Sequence, residues 1–316
     1  MKKISIIAPI YNEEDNINEL HQQLNDLIQG YQNKYNFKII FVNDGSSDNS
    51  HKNILQMKDE KLSYLKFSKN YGKEAALIAG IDYAKKINSD ACIIIDSDLE
   101  MPIKYIKDMI DLWEKNIKLV ITKRVSKRNT SKIKTFLAKK YYELFKKITK
   151  QDIVQDALDF GLMDRQVINE VVKFREKNRF FKGIIASIGF EYKVLEVQMV
   201  PRIHGQSSYG SFTSLFKYAF MSLASYTKVP LYISIFVGIL SALIGFVYGI
   251  VIILQYFILN DSIPGYSSIV CILLFFFGIV LIVLGVIGYY IGMILDETVK
   301  RPLYIIDEIY EEGDKC

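Results

Sequence analysis

The chain has 316 residues, 40 lysines and arginines against 35 acidic residues, and a formal net charge of +5. Its length allows one soluble domain together with a membrane hairpin. Cys92, Cys271 and Cys316 are too few and too scattered for a disulfide framework or a zinc site, so composition excludes both and favours a reducing compartment.

The N-terminal segment predicts a short buried strand. Lys3–Ala8 is mostly apolar, but it is too short for the core of a signal peptide, and the polar run that starts at Tyr11 ends it. We therefore expect the soluble domain to stay in the compartment where it is made.

Short apolar runs then alternate with helical patterns along the chain. Strands separated by helices of this length predict βαβ units and a largely parallel sheet covered on both faces. Ligands of such sheets gather at the carboxyl ends of the strands. The predicted strands are Lys3–Ala8, Phe37–Asn43, Leu62–Phe67, Ala91–Ile95 and Leu119–Thr122, and the predicted helices are Glu13–Ile28, Asn49–Met57, Lys73–Lys86 and Pro102–Lys115.

The turn after the second predicted strand, Asn43–Asp48, has two interpretations. It is suited to receive the base and ribose of a nucleotide, because Asp44 accepts hydrogen bonds from ring N–H groups or sugar hydroxyls. It is equally ordinary turn chemistry that caps the following helix. The sequence leaves both interpretations open.

Two carboxylates, Asp96 and Asp98, directly follow the fourth predicted strand, and Glu100 lies two residues further on. Carboxylates at a strand end face a cleft, and like charges at this spacing favour a divalent cation between them. Oxygen ligands of this kind suit Mg²⁺ or Mn²⁺, which join protein carboxylates to substrate phosphates. The same pattern occurs in ordinary acidic loops, but its position at a strand end favours the metal site.

Two segments with helical spacing of Phe and Leu stand apart from the sheet, Ser131–Lys150 and Ser211–Thr227. The second leads into an apolar region, which favours a position in the membrane interface. For the first, the interface and packing against the domain core are equally good interpretations. The lysines of Lys123–Lys150 suit an anionic membrane surface or substrate, or form a solvated basic face.

No lysine or arginine lies between Lys228 and Lys300, and this region contains two apolar runs, Val229–Leu259 and Ile263–Leu295. A bilayer core about 30 Å thick needs roughly 20 apolar residues, so each run predicts a membrane-spanning helix. Basic residues flank the pair on both outer sides, which predicts cytoplasmic ends by the positive-inside rule. The predicted parts are a cytoplasmic soluble domain at 1–210, an interface helix at 211–228, two spans at 229–295 and a cytoplasmic tail at 296–316. We also expect a chain cut after Thr227 to keep a folded soluble domain.

The strand-end sequences, taken together, resemble the family 2 glycosyltransferases with the A-type fold. With the hairpin, they are similar to the polyprenyl-phosphate glycosyltransferases, a group that includes the bactoprenol glucosyltransferases and, more distantly, the dolichol-phosphate mannose synthases. The resemblance implies a Rossmann-like α/β domain with a mixed, mainly parallel sheet, followed by a two-helix transmembrane hairpin. The matching segments are Ile7–Glu14, Val42–Asp48, Asn70–Ala76, Asp96–Glu100, Asp159-Phe160, Asn178–Phe180, Arg202–Tyr209 and Lys300–Tyr304.

The resemblance also implies roles for individual residues. It predicts three groups of residues: one that contacts the nucleotide, one that surrounds the metal and the diphosphate, and one that lies near the reacting centre and the phosphates. These groups are Pro9, Tyr11, Glu13, Asp44, Asp96 and Ser97 for the nucleotide, Asp96, Asp98 and Glu100 for Mg²⁺ or Mn²⁺, and Asp159 with Arg202 for catalysis.

Three positions depart from the family pattern. Asn43 stands where a second Asp is frequent, and Glu100 replaces a common Gln. Ser208 stands where a Lys is frequent, so one cation expected to neutralise phosphate is missing. Arg128, Arg179 and Lys182 are candidates to replace it, and the sequence does not choose between them.

The implied reaction transfers a sugar from a nucleotide diphosphate to polyprenyl phosphate with inversion. Glucose from UDP-glucose and undecaprenyl phosphate are the expected substrates; UDP-N-acetylglucosamine, GDP-mannose and a modified pentose donor are alternatives, and a catalytically silent membrane scaffold is the alternative of another class. A phosphate monoester is largely dianionic at neutral pH, so the acceptor needs little help from a base. We expect a plasma-membrane protein that makes a lipid-linked sugar for the cell envelope, forms homo-oligomers, works with a flippase and binds no nucleic acid.

Overall fold

The computed structural model describes residues 1–125, 140, 143, 145–149, 153–177, 180–200, 227–259, 265–299 and 301–311. The chain divides into two compact units. Met1–Phe212 and Pro302–Cys316 form the first unit, and Thr213–Arg301 form the second.

Strands and helices alternate through the first unit, as expected for an α/β domain. The strands are β1 (Lys2–Ile10), β2 (Tyr35–Asn43), β3 (Leu62–Phe67), β4 (Ala91–Ile94), β5 (Leu119–Arg124), β6 (Ala157–Asp164), β7 (Tyr192–Val197) and β8 (Ile306–Glu311). The helices are α1 (Ile17–Gln29), α2 (Ser50–Leu55), α3 (Lys73–Lys86), α4 (Tyr105–Glu114), α5 (Arg165–Val171) and α6 (Phe181–Ser187).

Within the described residues the strands form one sheet in the order β7-β5-β6-β4-β1-β2-β3-β8. β1 is parallel to both β2 and β4, β2 is parallel to β3, and β5 is parallel to β7. β6 runs antiparallel to β4 and β5, and β8 runs antiparallel to β3. The sheet is therefore mixed and mainly parallel, as the sequence predicts.

The two faces of the sheet bury separate apolar layers. Along β1, Ile4, Ile6 and Ala8 belong to the layer that includes α1 and α4, whereas Ile7 belongs to the layer that includes α3 and α5. A strand covered on both faces is apolar at every position rather than at alternate ones. This explains why β1 and β2 read as continuous apolar runs, and it leaves the carboxyl ends of the strands as the place for polar residues.

The last strand, β8, comes from the C-terminal segment, where the sequence pattern predicts no strand. Its neighbour β3 provides Lys66, which forms ion pairs of 3.0 Å with Asp307 and 2.7 Å with Glu308. Just before β8, the ring of Tyr304 stacks on Phe67 with centroids 5.2 Å apart. The C-terminal segment thus adds the last strand to a sheet edge whose other strand, β3, comes from the N-terminal half of the chain.

The second unit contains two long helices, α7 (Val229–Leu259) and α8 (Tyr266–Thr298), close to the predicted spans. By length and composition each includes a segment able to cross a membrane, Val229–Tyr248 and Phe275–Thr298. Almost none of these two segments is buried within the protein, unlike the core helix of a soluble protein.

The two predicted amphipathic helices fall mostly outside the described residues, as does all of 201–226. Residues 145–149 of the first are helical. There Phe145 is buried and its ring meets Phe180 edge to face, with centroids 6.2 Å apart. This residue packs against the domain, which was one of the two interpretations of the segment.

Candidate active site

A cleft of about 500 Å³ opens at the carboxyl ends of β1, β2 and β4. Parallel strands present their following loops at the same edge, and these loops supply most of the lining. Nine of the residues predicted from the sequence as site residues for nucleotide, metal or catalysis line the cleft, together with the phosphate candidate Lys182. The nine are Pro9, Tyr11, Glu13, Asp44, Asp96, Ser97, Asp98, Glu100 and Asp159.

The loops after β1 and β4 are joined at the floor of the cleft. The Ser97 hydroxyl is buried and donates a hydrogen bond of 2.9 Å to the carbonyl oxygen of Pro9. Tyr11 is 49% exposed and so presents a ring to solvent at the rim. The nucleotide role of these residues stays a prediction, but they do lie together on one wall.

Asp44 is almost fully buried, and its carboxylate holds the loop after β3. One oxygen accepts from the Tyr71 backbone N–H at 2.6 Å and the other from the Gly72 N–H at 2.9 Å. Burial raises the pKa of Asp44, and these two N–H groups oppose that rise without cancelling it. The turn is also tight, because a Cβ on Gly45, at φ +68°, would lie 2.5 Å from the Lys69 backbone. Asp44 therefore organises the wall in addition to any contact with a nucleotide.

The loop after β4 carries the paired carboxylates. Asp98 is 8% exposed, and one of its oxygens accepts from the Glu100 backbone N–H at 3.1 Å. Leu99 between them has φ +59°, a left-handed conformation that is uncommon for a leucine. The Glu100 carboxylate lies 3.7 Å from the guanidinium of Arg124, which comes from the end of β5.

A lysine at the start of α3 connects two carboxylates across the cleft. The Lys73 ammonium lies 2.6 Å from Asp96 and 2.9 Å from Asp159. Burial alone would lower the pKa of Lys73, but the two carboxylates hold it above its usual value. The site thus contains a fixed positive charge between two negative ones.

The pKa values of Asp96 and Asp159 shift in opposite directions, although both carboxylates contact Lys73. Burial raises the pKa of Asp96 above its usual value, although Lys73 opposes the rise. Burial acts in the same direction on Asp159, but Lys73 and then Lys182 outweigh it and hold the pKa of Asp159 below its usual value. Asp159 is therefore a stable carboxylate at neutral pH and a weak base.

A second, mostly apolar cavity of about 270 Å³ lies beside the cleft, between α6 and the β5–β6 side of the sheet. Ile121, Ile185 and Tyr192 are among its lining residues. Asp159 and Lys182 line both spaces. The Lys182 ammonium donates a hydrogen bond of 2.6 Å to the Ala157 carbonyl, which holds it at the junction.

Three predicted site residues, Arg128, Arg179 and Arg202, lie outside the described residues, as does Ser208, where a lysine is frequent in the family. The sequence predicts no individual role for two of the residues that line the cleft, Lys73 and Arg124. Lys73 closes the polar segment that follows β3, and Arg124 is the last residue of β5, in the basic stretch that starts at Lys123. The sequence feature that could have identified them is their position near the carboxyl end of a predicted strand.

The net negative charge of the cleft is relevant to the predicted binding of a divalent metal ion. Within the described residues no three His, Cys, Asp or Glu side chains converge in a metal-binding cluster. Six carboxylates and three cations line the cleft, which gives a formal charge of −3. An anionic nucleotide needs a cation to enter such a lining, and hard oxygen donors suit Mg²⁺ or Mn²⁺. Asp96 and Asp98 fit that need; the three-carboxylate shell with Glu100 stays a prediction.

The family model for glycosyl transferase family 2 matches residues 5–172. The glycosyltransferase YkcC of Bacillus subtilis is 35% identical over 308 residues, which are 97% of this chain and 94% of that protein. The prophage bactoprenol glucosyl transferase homolog of Escherichia coli is 34% identical over 309 residues, 97% of this chain and 99% of that protein.

Similarity to solved structures is weaker. Glucosyl-3-phosphoglycerate synthase from Mycobacterium tuberculosis, in a crystal structure with Mn²⁺ and UDP-glucose, is 15% identical with a TM-score of 0.47. The match covers 71% of this chain and 77% of that chain.

Proposed function

The chain is a hexosyltransferase that belongs to glycosyl transferase family 2, and from this premise we propose that it transfers a sugar from a nucleotide diphosphate to the phosphate of a polyprenyl lipid. The named relatives support the acceptor, since proteins described as bactoprenol glucosyl transferases match 96% of this chain or more. Glucose from UDP-glucose on undecaprenyl phosphate is the specific reaction that we propose.

The observation that carries the proposal is the junction of the two cavities. A charged cleft suited to a sugar nucleotide and an apolar cavity share Asp159 and Lys182. An acceptor for such a junction has an anionic head and an apolar body. Polyprenyl phosphate has both: its phosphate would meet the Lys182 ammonium, which lies beside Asp159, and its first isoprene units would enter the apolar cavity.

On the donor side, Asp96 and Asp98 would hold a divalent cation, which neutralises the charge that grows on the departing diphosphate. The remaining work belongs to the protein. Asp44 fixes the loop from Tyr71 to Lys73 around the nucleotide side. Arg124, at the end of β5, adds a cation that lines the same cleft.

On the acceptor side, the phosphate is its own nucleophile. A monoester with a second pKa near 6 is largely dianionic at neutral pH, so no side chain has to remove a proton. The lowered pKa of Asp159 agrees with an orienting role rather than with that of a general base. Inversion follows from direct attack on the sugar carbon from the side opposite the diphosphate.

The two long helices would bring the acceptor within reach as a membrane hairpin. β8 pairs with β3 in the domain that precedes α7. A chain that leaves this domain, crosses a bilayer and returns to the same sheet must cross it an even number of times. This supports both ends on one side, and the basic flanks of the hairpin favour the cytoplasm. A product formed there for the cell envelope would need a flippase.

UDP-N-acetylglucosamine, GDP-mannose and a modified pentose donor are the alternative donors within the same proposal. The scaffold alternative is disfavoured, since Asp96, Asp98 and Asp159 all line the cleft.

The test offers the purified full-length protein a panel of sugar nucleotides with undecaprenyl phosphate and Mg²⁺, and identifies the lipid product by mass. We expect one hexosyl lipid, formed only with the long-chain phosphate and the preferred donor. Release of nucleotide without a lipid product, or transfer to another acceptor, would contradict the proposed acceptor. No turnover with any donor would favour the scaffold.

A further inference from the structure

Asp96, two residues past the end of β4, and Asp159 of the antiparallel neighbour β6 both lie within ion-pair distance of the Lys73 ammonium. In the β4–β6 register Ile94 pairs with Gly161, and continuing it by two residues brings position 96 opposite position 159. Like charges directly opposite on neighbouring strands destabilise a sheet. The Lys73 ammonium lies between these carboxylates, at 2.6 Å and 2.9 Å, and so compensates the repulsion.

The backbone around Lys73 is fixed from the other side of the cleft. Asp44 accepts from the N–H groups of the two residues before it, Tyr71 and Gly72. Gly72 has φ +95°, a conformation that a side chain would strain, and α3 begins at the next residue. Asp44 and the start of α3 therefore set the point from which Lys73 reaches the carboxylates.

The two carboxylates serve different substrates in the proposed function, with Asp96 on the donor side and Asp159 on the acceptor side. We infer that Lys73 is a positioning residue, which holds the Asp159 carboxylate at a fixed place beside Asp96 and acts on the reaction through Asp159. The inference rests on the proposed function for the two sides. Without the ammonium, repulsion would turn Asp159 away from the donor cleft, and the acceptor phosphate would lose its orientation.

The test is a double-mutant cycle in the full-length protein, with Lys73→Met and Asp159→Asn made singly and together. Misplacement of about 1 Å in a site costs on the order of 100-fold in rate, so we expect Lys73→Met to lower kcat by roughly 10- to 100-fold. KM for the sugar nucleotide should change by less than about 3-fold. In the Asp159→Asn background the same substitution should lower kcat by less than about 3-fold, because the residue it positions is already changed.

Two further variants separate positioning from other roles. Lys73→Arg keeps the charge and should recover a measurable part of kcat. Lys69→Met makes the same chemical change on the same loop, where the side chain is exposed over the Tyr71 ring, and should leave kcat unchanged. A crystal structure of Lys73→Met should show the Asp159 carboxylate turned away from Asp96.

The inference would be overturned if the losses in kcat of the two single variants multiplied fully in the double variant and KM for the sugar nucleotide rose. Lys73 would then act directly on the donor. An Asp159 carboxylate that stays in place in Lys73→Met would also overturn the inference. A fall in kcat that Lys73→Arg does not recover, together with a large loss of thermal stability in both variants, would reduce Lys73 to a structural role.

Two readouts do not need the lipid acceptor: calorimetric binding of UDP with Mg²⁺, and slow hydrolysis of the sugar nucleotide. If the crystal structure of Lys73→Met shows Asp159 turned away from Asp96 while no sugar reaches undecaprenyl phosphate in the unmodified protein, the proposed acceptor fails and the positioning of Asp159 by Lys73 stands. If transfer to undecaprenyl phosphate is normal and the losses in kcat of the two single variants multiply in the double variant, the proposed function stands and the inference about Lys73 fails.

Discussion

The Ser97 hydroxyl donates a hydrogen bond of 2.9 Å to the Pro9 carbonyl oxygen and so ties the loop after β4 to the loop after β1. Ser97 lies between the two carboxylates of the Asp96–Asp98 motif. The bond fixes the backbone from which both carboxylates project, in a buried position where a lost partner costs about 1–3 kcal/mol. The two carboxylates proposed to bind the metal therefore project from a loop that is held in place.

The first prediction is that Asp98→Asn nearly abolishes sugar transfer while the protein remains folded. The substitution removes a charge that would hold the cation, but it keeps the size of the side chain and an oxygen that can accept the Glu100 N–H. Transfer of label to lipid and the thermal unfolding temperature are the measurements. Asp108→Asn, on the exposed side of α4, is the matched control and should be neutral. Near-normal turnover of Asp98→Asn with Mg²⁺ present would remove this residue from the metal site.

The second prediction concerns pH. If the acceptor phosphate is its own nucleophile, Asp159→Asn should lose less activity than Asp98→Asn. Its residual rate should rise with pH around the second phosphate pKa, near 6. The pKa of Asp159 is held below its usual value, so this carboxylate is ionised well before that range and is not the group that titrates there. A loss as deep as that of Asp98→Asn, with a flat pH profile, would identify a true general base.

The third prediction concerns the apolar cavity. Ala186 lines it, so Ala186→Phe should fill part of the space and raise KM for undecaprenyl phosphate by roughly 10-fold or more, since losing two buried methylenes' worth of contact costs about 1.6 kcal/mol. Binding of UDP should not change. The control is Ser187→Phe, which adds the same ring at an exposed position of α6. Equal KM values for the two variants would mean that the isoprene units lie elsewhere.

The fourth prediction concerns the buried carboxylate of the nucleotide side. Asp44→Ala leaves the Tyr71 and Gly72 N–H groups without their acceptor, which should lower the free energy of unfolding by about 1–3 kcal/mol per buried group left unpaired. UDP binding should weaken as the loop loosens. Asp15→Ala removes an exposed carboxylate near the same cleft and should change neither quantity. Unchanged stability in Asp44→Ala would show that the loop is held by other contacts.

The sequence predicts the first five strands of the sheet and most of the charged cleft, because both depend on local pattern, but it does not predict β6, β7 or β8. β3 has the predicted bounds, and β1, β2 and β5 are longer than predicted by one or two residues at an end. Asp96 and Asp98 are recognisable because they directly follow an apolar run, and Asp44 because it begins a turn.

The remaining features depend on contacts that are distant in sequence. Lys73 reads as the first residue of an ordinary helix, and its role is visible only once Asp159, 86 positions away, is placed beside it. β8 has the acidic sequence Ile306–Glu311, which reads as a solvated tail. Its partner Lys66 lies 241 positions from Asp307.

The fifth prediction revises the expectation for a chain cut after Thr227. Such a chain lacks β8 and Tyr304, so it exposes the edge of β3 and uncovers Phe67. We expect it to be less stable and prone to aggregate through that edge. A chain in which a long Gly/Ser linker replaces residues 228–301, with the segment from Pro302 retained, should fold and bind UDP with Mg²⁺ but transfer poorly to undecaprenyl phosphate. Thermal unfolding and light scattering compare the two, and equal behaviour would show that β8 is dispensable.

The pairing of β8 with β3 also sets the order in which the protein is completed. Synthesis runs from the N-terminus, so β3 emerges from the ribosome long before its last neighbour, and the two apolar helices are made in between. Until then the outer edge of β3 is unpaired, and such an edge is the kind of surface through which chains associate wrongly. The final strand reaches that edge only after both helices have been synthesised. Completion of the sheet therefore reports that both long helices have been made, and a nascent chain arrested within them carries an open β3 edge of the kind that chaperones and proteases recognise.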